Sequence, residues 1–146
     1  MLAQPGPANE RGTVLLLFPA AMLIMVILGA ITIDISLSQV RGRELDAVAS
    51  SAANDALAAL DIAALRNNGS IAINPSRAQT IVADSVALSE LPSARVIAVD
   101  IAQASGQPPV VTVTLQLRVD FIIAPALPGN LSSTTITRTR SATVLG

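Results

Sequence analysis

Thr13 to Ile33 reads TVLLLFPAAMLIMVILGAITI, twenty-one residues without a charge. Wound as an α-helix, such a run is about 31 Å long, matching a bilayer hydrocarbon core of about 30 Å. Its borders are charged, with Glu10 and Arg11 before it and Asp34 after it. Pro19 and Gly29 lie inside, and membrane helices tolerate both better than helices in water do. A chain of 146 residues can hardly surround a helix that is apolar on every side, which argues against a buried core helix. The closer rival is a cleaved signal sequence on a secreted small binding module. The run exceeds a typical signal core, however, and no A-x-A-like site closes it. The sequence therefore predicts a leader over 1–12 and a transmembrane helix over 13–33, with Asp34 at the membrane boundary.

Beyond Asp34 no helix breaker occurs before Asn67-Asn68-Gly69, where Arg66 supplies a basic last turn. An alanine-rich helical extension is expected over 34–66, with Gly42 as its one weak point. Leu45, Ala49, Ala52, Ala56, Ala59 and Ala63 follow 4-3-4-3-4 spacing, flanked by Ala53 and Leu60. That spacing predicts a narrow helix-packing seam. Its small side chains let either the chain's own sheet or a partner helix approach closely. Asp46, Ser50, Asn54 and Asp61 fall on the other side, which should face water.

A small α+β domain is expected over 70–146. Asn74-Pro75 is a helix start, with Asn as N-cap and Pro at the first helical position. The helix should run to about Leu91, with Ala78, Ile81, Val82 and Ser85 on one face. Arg95 to Ala102 reads as a strand. The clearest element is Val110 to Phe121, where Val111, Val113, Leu115, Leu117, Val119 and Phe121 alternate with more polar residues. Period two over that length predicts a half-buried strand with one wet face. Ser133 to Leu145, rich in Thr and carrying Arg138 and Arg140, suits an edge strand. The apolar connection Ile122–Leu131 (IIAPALPGNL) holds Pro125 and Pro128, so it is no regular strand; either it packs beneath the helix, which is the expectation, or it is an exposed sticky loop at a partner contact. The sum is one helix on a three-stranded antiparallel sheet.

Composition narrows the chemistry. Hydrophobic residues make up 51% of the chain and charged residues 13%, with no Cys, His or Trp. No thiol nucleophile, imidazole base or zinc site of nitrogen and sulfur ligands can be built. A serine nucleophile would lack a His or Lys base. Glu44, Asp46, Asp55 and Asp61 read as surface charges. Scattered arginines with only two aromatic residues, Phe18 and Phe121, offer no platform for nucleic acid. Neither a catalytic site, a metal, a cofactor nor a small-molecule substrate is expected.

The block Glu10 to Leu60 resembles the Tad-type pilus-assembly proteins of the TadE/TadG kind. In that family a short leader ends in Arg-Gly, here Arg11-Gly12, and an apolar span ends in a Val/Ile-Asp step, here Ile33-Asp34. An Arg-x-Leu segment, here Arg43-Glu44-Leu45, leads into an Ala-Ala-Asp/Asn-Ala core, here Ala52-Ala53-Asn54-Asp55-Ala56. The resemblance covers about a third of the chain. It implies a pilin-like layout and a bacterial inner-membrane protein, pseudopilin-like or anchoring, in a tight-adherence (Flp) type IV pilus machine. Its partners would be other pilus-assembly or pilin subunits, met through the span and the alanine seam. The N-terminus would lie in the cytoplasm and the α+β domain outside. A count of Arg11 against Arg41 and Arg43 leans weakly the other way. In prepilins the leader is cut after the glycine, here between Gly12 and Thr13. The fifth residue after that cut is normally Glu. Here it is Leu17, which fits an uncleaved TadG-like anchor better than a pilin subunit.

Overall fold

The chain is α+β: a long N-terminal helix followed by a small domain with a three-stranded antiparallel sheet. The computed structural model describes residues 10–91, 93–104, 107–123, 125 and 132–144, without the side chains of 10–16 and 68. Helix α1 spans Glu10–Ala56, α2 Ile62–Asn68 and α3 Pro75–Ala87; strands β1, β2 and β3 span Ala94–Ala102, Val110–Asp120 and Ser133–Thr143. Two compact units emerge, and each is discontinuous in sequence. The first joins Met1–Ser36 to Phe121–Ser132; the second joins Leu37–Asp120 to Ser133–Gly146.

In the first unit α1 passes through Pro19 without ending. It is long and apolar enough to cross a membrane, and only 11% of its most apolar stretch is buried. Phe18, Leu23, Met25 and Val26 are all more than half exposed. Among the described residues from Leu17 to Ser36, only Ala30 and Asp34 are buried. They lie four apart, on one face of the helix.

In the second unit one core holds the structure together. Leu45, Ala49, Ala52, Ala53, Ala56 and Ala59 cluster with Ala78, Val82 and Val86 of α3 and with Val111, Val113, Leu115, Leu117 and Val119 of β2. The sheet order is β1-β2-β3, antiparallel throughout. Central β2 shows the alternation expected of it, every odd residue from Val111 to Val119 being buried. Its other face is polar, and Thr112 and Thr114 pair through their hydroxyls with Ser141 and Thr139 at 2.8 and 3.0 Å.

Register explains how the edges are protected. Arg138 stands opposite Leu115 and Arg140 opposite Val113. Residues directly opposed across an antiparallel ladder share a face. Both arginines therefore rise on the core side of edge strand β3, where inward-pointing charge discourages addition of a further strand. Arg140 is held by Asp46 of α1. The other edge, β1, is interrupted by a register shift between Val96 and Ala98, a device with the same effect.

The helical extension over 34–66 is corrected in one respect: α1 ends at Ala56. Leu57, Ala58 and Ala59 donate to the carbonyls three residues back, at 3.1, 2.9 and 3.1 Å, tightening the last turn. The chain then makes an antiparallel bridge, Leu60 with Ile73. Asp61 N donates to Ala72 O and Asn74 N to Ala59 O, both at 2.8 Å. These long-range bonds replace the helical ones that residues 57–60 would have made. Asp61 restarts the helix, its carboxylate accepting from Ala63 N and Ala64 N at 3.0 and 3.1 Å. Gly69 closes α2 in the left-handed region at φ 64°. Asn74 caps α3 as expected, with Pro75 at its start. That helix stops at Ala87 instead of near Leu91, β2 ends one residue before Phe121, and β3 ends at Thr143.

Two substitutions test this packing by chemical unfolding of the full chain in detergent. Ala52→Asp places an unpaired charge at a fully buried position and is expected to cost about 3–5 kcal/mol; an unchanged midpoint refutes the packing. At Gly42 an added Cβ would meet the Arg138 guanidinium at 3.0 Å, and Ile136 Cδ1 only at an ordinary 4.0 Å. That arginine is exposed at its far end and can yield. Gly42→Ala is therefore expected to raise stability by about 0.5–1 kcal/mol through helix propensity, and a loss of stability would mean the guanidinium cannot move.

Candidate functional site

The residues singled out from the sequence separate into three places. Gly12 and Thr13, the possible leader junction, lie inside helix α1. Residues 1–9 of the leader and 124 and 126–131 of the apolar connection lie outside the described residues. Leu45, Ala49, Ala52, Ala56 and Ala59 converge on the core described above, each essentially inaccessible. The seam thus covers the chain's own sheet. Ala63 does not join it: beyond the break at Ala56 it sits in the first turn of α2 and is exposed. The 4-3-4-3-4 phase holds only while one helix continues.

Asp34 has the most informative surroundings. Its side chain is 4% exposed. Oδ1 accepts from Ile122 N at 3.0 Å, and Ile123 N lies 3.4 Å from Oδ1 and 3.3 Å from Oδ2. The residues joined are 88 and 89 positions apart, and both ends belong to the first unit. A carboxylate accepting backbone N–H groups makes charge-assisted bonds, about twice as strong as neutral ones. At the end of the uncharged run of α1 this arrangement satisfies a carboxylate without water. Asp34 therefore acts as a clamp that pins the start of the apolar connection to α1. No local sequence pattern signals such a pairing.

The apolar connection also departs from the expected burial where it is described. Phe121 and Ile123 are half-buried, Ile122 is 70% exposed and Pro125 is exposed. Phe121 N donates to Ser132 O at 2.9 Å, closing the base of the connection.

The carboxylates read from sequence as surface charges have specific duties. Asp46 holds Arg140, Asp55 accepts from the Ser85 hydroxyl at 2.8 Å, and Asp61 is the α2 N-cap. Glu44 pairs with Arg41 at 2.8 Å on an exposed helix surface, an interaction worth roughly 0.3–0.5 kcal/mol. Among the described residues no group of three or more His, Cys, Asp or Glu side chains could hold a metal ion. Gly42, Arg43 and Asp46 of α1 line a groove with Thr137–Arg140 of β3. Arg138 and Arg140 of this groove serve the edge and the ion pair already described.

Removing the clamp has a local signature. Asp34→Ala leaves two backbone donors without their acceptor, at about 1–3 kcal/mol for each buried group. Hydrogen exchange at Ile122 and Ile123 is expected to accelerate by roughly tenfold or more, since about 1.4 kcal/mol is a factor of ten. Exchange at Val113 and Leu115 in β2 should stay as it is. Equal protection at Ile122 in both proteins would refute the clamp.

No family model, curated protein or solved structure matches the chain.

Proposed function

We propose that this protein is a non-enzymatic, single-pass component of a bacterial Tad/Flp-type pilus assembly system, held in the inner membrane with its α+β domain outside. One observation carries the membrane part of this reading: α1 runs without interruption from an exposed apolar stretch into the core of a folded domain. A helix whose apolar side chains are uncovered on nearly all sides needs lipid as its solvent. A signal sequence needs an accessible segment at its far end for cleavage. Here Ile33 to Leu45 is helical throughout and Leu45 is already core. The same continuity weighs against the alternative of a secreted small binding module.

The pilus assignment rests on the order and spacing of Arg11-Gly12, Ile33-Asp34, Arg43-Glu44-Leu45 and Ala52-Ala53-Asn54-Asp55-Ala56. The anchor role is preferred to that of a fibre subunit because Leu17 stands where a prepilin carries Glu. The seam is occupied by the chain's own core, so neighbouring subunits would be met through the span and the remaining surface. Arginine supplies every basic group of the domain, and no described cluster supports catalysis.

The test is made on protein taken from its native membrane. The chain is expected to resist alkaline carbonate extraction and to retain residues 1–12 by intact mass. A chain beginning at Thr13 would make it a processed pseudopilin. A carbonate-soluble chain beginning beyond residue 30 would establish the secreted module and overturn the anchor.

A further inference from the structure

We propose that the turn Phe121-Ile122-Ile123, with Pro125, is a second membrane contact. It enters the boundary between headgroups and acyl chains beside the spanning helix, its occupant being lipid acyl chain. This rests on the reading of α1 as a membrane span and adds a second point of insertion from a distant part of the chain.

Position is the first ground. The Asp34 carboxylate closes the uncharged run of α1 and bonds to Ile122 N and Ile123 N. The turn is therefore held against the helix at the level where its uncharged run ends. Ile33 and Ile35, on either side of Asp34, are each 52% exposed, so the turn joins an apolar surface that already faces outward.

Side-chain chemistry is the second. Ile122 is 70% exposed, and the sequence carries no charge from Phe121 until Arg138. An isoleucine turned outward at the head of an uncharged stretch, beside an uncovered apolar helix, matches lipid better than water.

Backbone satisfaction is the third and the most specific. Non-helical chain enters a bilayer only where its polar groups find internal partners. Phe121 N donates to Ser132 O, Ile122 N and Ile123 N donate to Asp34, and Pro125 has no N–H to satisfy. Every described donor of the turn is thus paired within the protein, although Ile122 itself is exposed. A loop in water has no such requirement.

The chain contains no Trp and no Tyr, so single tryptophans report without background. Ile122→Trp, with Pro125→Trp as a second site, is placed in the full chain and reconstituted in phosphatidylethanolamine–phosphatidylglycerol vesicles. Phe18→Trp marks the span, and Leu88→Trp, at a position 87% exposed after α3, marks water. The turn positions are expected to emit to the blue of Leu88→Trp and to lose most of their quenching by aqueous iodide. Lipids brominated near the top of the acyl chain should quench them, consistent with insertion about 5–10 Å below the headgroups. Iodide quenching at both turn positions equal to that of Leu88→Trp would overturn the proposal. Shielding from iodide without bromolipid quenching would also overturn it, by showing a protein cover. Loss of bromolipid quenching at Phe18→Trp as well would instead bring down the membrane reading on which it rests.

Discussion

One helix here carries two kinds of surface, first uncovered and apolar and then packed into a core, and the rest of the structure follows from how its side chains change along its length. Over its first half α1 is apolar on nearly every side. Over its second half the apolar residues contract to one stripe, and that stripe is mostly alanine. Alanine contributes little area to a core. The bulk of this core comes instead from the sheet, through Val111, Val113, Leu115, Leu117 and Val119. Large residues on the strand facing small residues on the helix fill the gap between layers without overpacking. Leu45, at the entry of the stripe, is its one large member.

The sheet is built to stay single. Its outer face pairs hydroxyls across the ladder, and its two edges are blunted in different ways. On β1 a register shift spoils the template; on β3 two arginines replace the apolar residues that the alternation would otherwise place inward. Those arginines reach past the rim of the core to α1, where Asp46 compensates one of them. An edge strand protected by inward arginine must have a carboxylate or solvent within reach, and the helix supplies it.

Much of this was legible in the sequence because its determinants are local. The long uncovered helix shows as an uncharged run, β2 as a period of two, and α3 as Asn74 followed by Pro75. What escaped depends on contacts between distant residues. Nothing near Ala56 marks a stop, since alanine there favours helix as strongly as anywhere. The helix ends because residues 59–61 pair with 72–74, and only in hindsight does Asp61 ahead of Ile-Ala-Ala-Leu read as a cap. The failure of Ala63 as a seam residue is a consequence of that same break. Asp34 was legible as the residue that closes the uncharged run after Ile33. Its hydrogen-bond partners, nearly ninety residues away, carry no local trace, and neither does the outward turn of Ile122.

The two units are interleaved along the chain, and this limits how the protein can be divided. Phe121–Ser132 is grouped with the first part of α1, yet it is bounded in sequence by β2 and β3 of the other unit. A cut between Ser36 and Leu37 does not separate two modules. It removes one side of a folded unit and leaves an uncharged insert on the fragment that remains. Exchange of N-terminal segments between related proteins would meet the same obstacle. A new N-terminal segment would have to arrive with a connection between β2 and β3 matched to it, so the two segments can be exchanged only as a pair.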